Sequence, residues 1–318
     1  MRNCLFCPAK ASSQEHVIPA SLGGNDTIAA TCVECNGSCG RFEDEFTEHL
    51  LPFRQIAGIP NRRKKIVPSV PSILRVGSDE ETGIRHPDGE ISIRTRQIDH
   101  SGEVISENLR STSLQEVEAF KRRARQQGKK LAEEPAERVT YEPVWKGTFH
   151  FLCAASALRT AAKASYICLA RQSRALARSD EFQAIRDFIA SGTEAPVKLF
   201  FNPTFANHIQ LPISEHRIII SLDGLTHEAI GIVILMGGLH YAVDLSSSYV
   251  GADYTFSYSV DGITGNSKIT KTNEGDLVKQ VFSHGTKWND IAFSGGYFGS
   301  LVPKSPEYEF SVRRIENS

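Results

Sequence analysis

Long hydrophobic runs are missing from this chain of 318 residues; the longest, Ile230 to Met236, has seven. That is far short of the twenty or so apolar residues that a membrane-spanning helix needs. The first residues also lack the apolar core of a secretory signal, so the expected setting is a reducing cytoplasm with no membrane partner. Net charge is nearly absent at −1, and no internal repeat is visible. With 40% hydrophobic and 23% charged residues, the chain reads as an ordinary globular protein long enough for about two domains.

The near-zero charge conceals segregation. Residues 1–50 hold three basic residues (Arg2, Lys10, Arg41) against seven Asp and Glu. Three other stretches carry no acid at all: Arg54 to Lys65, Lys121 to Lys130 and Arg159 to Arg178. A polyanionic partner is expected to meet these stretches, not the acidic N-terminus.

Seven cysteines are present, and four have metal-ligand spacing. Cys4-Leu-Phe-Cys7 and Cys32-Val-Glu-Cys35 are separated by 24 residues. Each pair puts two sulfurs on one turn, which suits a tetrahedral four-thiolate zinc that staples the intervening loop. Without the metal, this short segment has almost no core to hold it. Four cysteines leave no open coordination position, so the zinc is read as structural. Cys39, Cys153 and Cys168 are read as reduced packing residues.

Residues 1–53 are expected to form this finger, ending in a helix on which Phe42, Phe46 and Leu50 share one face before Pro52 closes it. Residues 54–140 read as a basic linker with a small β region, turning at Pro87-Asp88-Gly89 and Ser101-Gly102, and with an exposed helix at 115–134. Residues 141–318 read as an accessory domain for targeting, sensing or oligomerisation. In it, Phe151, Ala155, Leu158, Ala162, Tyr166, Leu169 and Leu176 mark one helical face, beside a basic stripe of Arg159, Lys163, Arg171, Arg174 and Arg178. A second helix is expected from Ser179 to Ile189 with Gly192 as terminator. Strands follow at 197–201, 209–213, 217–222, 229–236 and 239–245, with turns at Asp223-Gly224 and Gly237-Gly238. Beyond Tyr249 the pattern is weak. The fold class is α+β: a zinc-stapled finger, then helices on an antiparallel sheet.

Between the cysteine pairs lies Glu15-His16-Val-Ile-Pro19, and Asn36 directly follows the second pair. In combination, Cys-x-x-Cys, Glu-His-Val-Ile-Pro-Ala-Ser-Leu-Gly-Gly, Cys-x-x-Cys-Asn and a helix resemble the HNH endonuclease motif of the ββα-metal type, in the bacterial branch with a zinc knuckle. The resemblance covers about residues 4–50. It implies a metal-dependent DNA endonuclease, with His16 as general base and Glu15 and Asn36 as ligands of one Mg²⁺ or Mn²⁺. Imidazole suits proton abstraction near neutrality, and hard cations want oxygen ligands. The family's usual Asn about five residues before the second pair is Thr27 here, with Asn25 and Asp26 beside it. By analogy alone, the architecture would suit a bacterial defence or phage-related nuclease.

Phosphate-holding residues are expected at Arg54, Arg62, Arg63, Lys64 and Lys65, and at Lys121, Arg122, Arg123 and Arg125. His49 reads as a dipole partner at a helix end, and His208, His216, His227 and His240 as ordinary residues without ligand spacing. Two rival functions stand beside the nuclease: a non-catalytic zinc module that binds nucleic acid or protein, and an effector gated through 141–318 by a small molecule or a protein. A homo-oligomer is compatible with either.

Overall fold

The computed structural model describes residues 3–61, 65–76, 79–98, 100–101, 104–133, 137–144, 155–193, 196–199, 211–283 and 305–315. Contacts divide the chain into two units, one of residues 1–67 with 149–293 and one of residues 68–148 with 294–318. Helices and antiparallel sheets make up both. Among the described residues, no helix is long and apolar enough to cross a membrane.

Elements are numbered along the chain. In the first unit, the cysteine-rich segment forms strand β1 (Ser13–His16), a short 3-10 turn (Ala20–Leu22), strand β2 (Thr27–Thr31) and helix α1 (Val33–His49). The strands pair antiparallel, placing Glu15 opposite Ile28 and His16 opposite Thr27. Gly23 ends the 3-10 turn at φ 88°, and a Cβ there would run into the backbone of Gly262. Both the left-handed conformation and the close approach demand glycine. Phe42, Phe46 and Leu50 are buried together, as their spacing predicts. Pro52 does not act as a stop signal; it sits in the first turn of a short helix α2 (Leu51–Ile56), where a missing N–H costs nothing.

Helix α4 (Ala155–Gln172) is buried on nearly every side: of residues 156–170, all but Arg159 are buried. The buried surface is therefore wider than the one core face expected, and it takes in Lys163 of the basic stripe. Helix α1, helix α6 (Gln183–Ser191) and a sheet surround it, and its Ala-rich surface allows their close approach. A short α5 (Arg174–Ala177) follows it. Before α6, Ser179 is extended and residues 180–182 form a 3-10 turn. Phe182, Ile185 and Ile189 are buried and Gly192 ends the helix at φ 79°, in keeping with the sequence pattern.

The sheet of this unit has the order β14-β13-β10-β11-β12-β9 and is antiparallel throughout. Its strands are β9 (Val197–Leu199), β10 (Glu215–Asp223), β11 (Glu228–Leu235), β12 (Leu239–Ser246), β13 (Tyr254–Asp261) and β14 (Ser267–Lys271). Alternation separates its two faces. Ile219, Ile230, Ile232, Ile234 and Ala242 pack against Val278 and Val281 of helix α7 (Gly275–Ser283). Gly231 faces the other way, toward Ser165 of α4. The region after Tyr249, weakly patterned in sequence, thus supplies two strands and the covering helix of that face. Of the strand expected at 209–213, residues 209–210 lie outside the described residues and 211–213 carry no strand.

The second unit contains β3 (Val70–Val76), β4 (Asp79–Arg85), β5 (Ile91–Ile98), β6 (Val104–Ser111), helix α3 (Leu114–Gln126), β7 (Lys130–Glu133), β8 (Glu137–Val144) and β15 (Ser305–Ile315). Strands β3 to β6 form a meander, β8 pairs with β3, and β15 pairs with β8, β7 and β6. The pairing of β15 with β6 closes the sheet on itself, removing exposed edges there. Helix α3, expected to lie largely in solvent, buries Val117, Phe120 and Ala124, the first two beside Leu109 of β6. Three apolar residues at helical spacing are enough to dock one turn-to-turn stripe.

Candidate active site and metal centre

The finger brings four thiols together. The sulfurs of Cys4, Cys7, Cys32 and Cys35 all lie within 4.8 Å of one another. Cys7 stands 3.7 Å from both Cys32 and Cys35. A Zn–S bond of about 2.3 Å places tetrahedral ligand sulfurs roughly 3.8 Å apart, so the cluster has the size of a four-thiolate zinc site. Backbone amides support the sulfurs: Phe6 N–H donates to Cys4 Sγ and Cys35 N–H to Cys32 Sγ, each at 3.4 Å. The Cys35 amide lowers the pKa of Cys32, which also caps α1, whereas burial raises that of Cys35. Cys39 stands apart from the cluster as a buried thiol whose pKa burial pushes up to about 12. Cys168 is buried on α4, and Cys153 lies outside the described residues.

Glu15 is buried on β1 and binds the ammonium of Lys163, a fully buried residue of α4. The same ammonium binds Glu43 of α1. Burial opposes the charge on Lys163, but Glu43 and Glu15 more than offset it and hold its pKa above the ordinary range. Burial also pushes the Glu43 carboxyl up to about 7 against the pull of Lys163. Breaking one arm of such a buried pair costs about 3–5 kcal/mol, because the remaining charge is left uncompensated. One oxygen of Glu15 is held by Lys163; the other, Oε2, is buried with no hydrogen-bond partner among the described residues. A buried, unsatisfied carboxylate oxygen is a fit place for a cation.

The basic stripe that runs from α4 to Arg178 touches the finger, although Arg171 and Arg178 are also exposed. Arg171 pairs with Asp26 at 2.9 Å. Arg174 donates to the carbonyls of Ala29, at 2.8 Å, and Asn3, and Arg178 to that of Cys4 at 2.9 Å. The guanidinium of Arg159 lies 4.4 Å from the centroid of the Phe42 ring. Within this stretch, Lys163 and Arg171 meet carboxylates of the finger, Arg174 and Arg178 its backbone carbonyls. The sequence reading placed Lys163 only in the basic stripe and gave Glu43 no part in the site. Their signal was a lysine set among Ala161, Ala162 and Ala164, where a charge has no reason to be unless paired.

His16 ends β1 and Asn36 lies in the first turn of α1, both partly exposed. Thr27, which stands where the family commonly has Asn, is the strand partner of His16, and Asn25 is exposed beside Gly265. Of the basic residues, Arg54 is buried, with no hydrogen-bond partner for Nε among the described residues. Only 7% of it is exposed, so little of the side chain is open to solvent. Residues 62–64 lie outside the described residues. Lys65 is exposed and lines a cleft of about 520 Å³ with Ala20, Gly23, Asn25 and Asn61. In the second unit, Arg122, Arg123 and Arg125 are exposed on α3, and Lys121 pairs with Glu118 at 3.0 Å. Arg123 joins Arg94 and Arg96 around a pocket of about 310 Å³.

His216 and His240 are buried in the sheet, and burial lowers the pKa of each to about 4. His227 is exposed at φ 60° with Nδ1 3.0 Å from the Tyr249 carbonyl, His49 is exposed in the last turn of α1, and His208 lies outside the described residues.

No curated protein and no solved structure matches the chain. One family does, over the segment that carries the thiol cluster, Glu15, His16 and Asn36: residues 4–51 match the family model of the HNH endonucleases.

Proposed function

We propose that this chain is a metal-dependent DNA endonuclease whose finger is of the ββα-metal type. The observation that carries the reading is the buried Oε2 of Glu15, without a hydrogen-bond partner among the described residues and inside the segment that matches the HNH endonucleases. Glu15 and Asn36 would hold one Mg²⁺ or Mn²⁺, and the four cysteines one zinc. Bound there, the hard cation supplies Lewis acidity toward the scissile phosphate. His16, partly exposed at the end of β1, takes the proton of the attacking water. The cysteine cluster holds the β1–β2 ribbon against the start of α1, keeping Glu15, His16 and Asn36 in place.

Phosphate contacts fall to Lys65 and its neighbours Arg62, Arg63 and Lys64, and to Lys121, Arg122, Arg123 and Arg125 of α3. They give affinity without sequence preference. Full-length protein incubated with supercoiled plasmid is expected to produce nicked or linear product with Mg²⁺ or Mn²⁺ and none with EDTA. Intact plasmid under every cation, despite measurable DNA binding, would favour the non-catalytic zinc module.

A further inference from the structure

We infer that Lys163 is an internal cation that competes with the divalent cation for Glu15 and so sets the metal affinity of the site. The inference rests on the reading of Glu15 as a cation ligand. Lys163 is wholly buried, and its ammonium bridges Glu15 and Glu43. It occupies Oε1 of Glu15, leaving only Oε2 for an outside cation.

Two opposing effects act on that oxygen. By anchoring Oε1, Lys163 fixes the carboxylate, which favours metal binding through preorganisation. Against this, a carboxylate shared by an ammonium and a divalent cation holds them roughly 5 Å apart, where they repel strongly at the effective dielectric of a protein. Repulsion between a single and a double charge at that range outweighs the freezing of one carboxylate rotamer. Lys163 therefore weakens binding on balance, and Glu43 moderates its effect by drawing on the same ammonium.

The ammonium cannot move aside easily. Its helix is tied to the finger by Arg171 on Asp26, and the short helix and cap that follow it by Arg174 on the Ala29 carbonyl and Arg178 on the Cys4 carbonyl. The cation affinity of the finger is thus written partly in a helix far from it in sequence.

Calorimetric titration of zinc-loaded, full-length protein with Mn²⁺ tests this without reference to cleavage. Lys163→Met is expected to bind Mn²⁺ at least tenfold more tightly than wild type. Glu43→Gln, which keeps the Lys163–Glu15 pair and should fold even if Lys163→Met does not, is expected to bind at least fivefold more weakly. Unchanged or weaker binding by Lys163→Met, or unchanged or tighter binding by Glu43→Gln, overturns the inference. Mn²⁺ binding that survives Glu15→Gln in every background overturns the reading of Glu15 as ligand instead, and the inference with it.

Discussion

His216 of β10 donates from Nε2 to the carbonyl of Leu22, at 2.8 Å, across 194 positions of sequence. Its Nδ1 accepts the amide of Met236 at 3.1 Å, so the neutral tautomer protonated on Nε2 satisfies both partners. The central strand of the sheet is thereby tied to the turn that follows Glu15 and His16.

Protonation breaks that tie. Burial lowers the pKa of His216, and separately of His240, to about 4, below the unfolded value of about 6.5. The unfolded chain binds each proton first, so stability is fully present above about pH 6.5 and declines as pH falls toward 4. Each imidazole accounts for about 3 kcal/mol at most. Urea unfolding between pH 7 and 4.5 should show this decline, and His240→Phe should flatten it; identical slopes for the two proteins would refute the assignment.

Gly231 marks where α4 meets the sheet. A Cβ there would stand 2.5 Å from Ser165 Oγ and 2.9 Å from its Cβ. Gly231→Ala should cost about 2 kcal/mol by overpacking, and Ser165→Gly in the same chain should recover part of it. Thermal melts read both, and an unshifted Gly231→Ala would show that α4 sits farther from β11.

Zinc removal should loosen the finger first. Metal analysis is expected to find about one zinc per chain, as four thiolates imply. Cys32→Ser should release it and destabilise the finger by several kcal/mol, since metal binding and folding are coupled in such small segments. Zinc-free protein with a cooperative, unshifted melt would rule the site out.

Arg174 binds two finger carbonyls, Ala29 and Asn3. Arg174→Met should raise amide hydrogen exchange across residues 3–31 while leaving β10 to β13 protected. Exchange unchanged in the finger would mean that the cation docking contributes nothing to holding it.

Local chemistry was legible in the sequence and long-range pairing was not. Cysteine spacing located the thiol cluster, the Phe42, Phe46 and Leu50 repeat located the buried face of α1, and Gly192 located the end of α6. Each is a property of neighbouring residues. The ion pair of Lys163 with Glu15 joins positions 148 apart, and no local pattern announces it. The basic stripe was ambiguous for the same reason: its chemistry asks for an anion but does not say whether that anion is DNA or the chain's own finger. Closure of the second sheet by β15 depends on a strand drawn from the far C-terminus.

The central claim is that His16 activates water at a cation held by Glu15 and Asn36. The most direct test compares single-turnover nicking of supercoiled plasmid by wild type and His16→Ala, with Mn²⁺ binding checked in both. Loss of a general base predicts a rate at least about 100-fold lower at unchanged metal affinity. Equal rates for the two proteins would contradict the account.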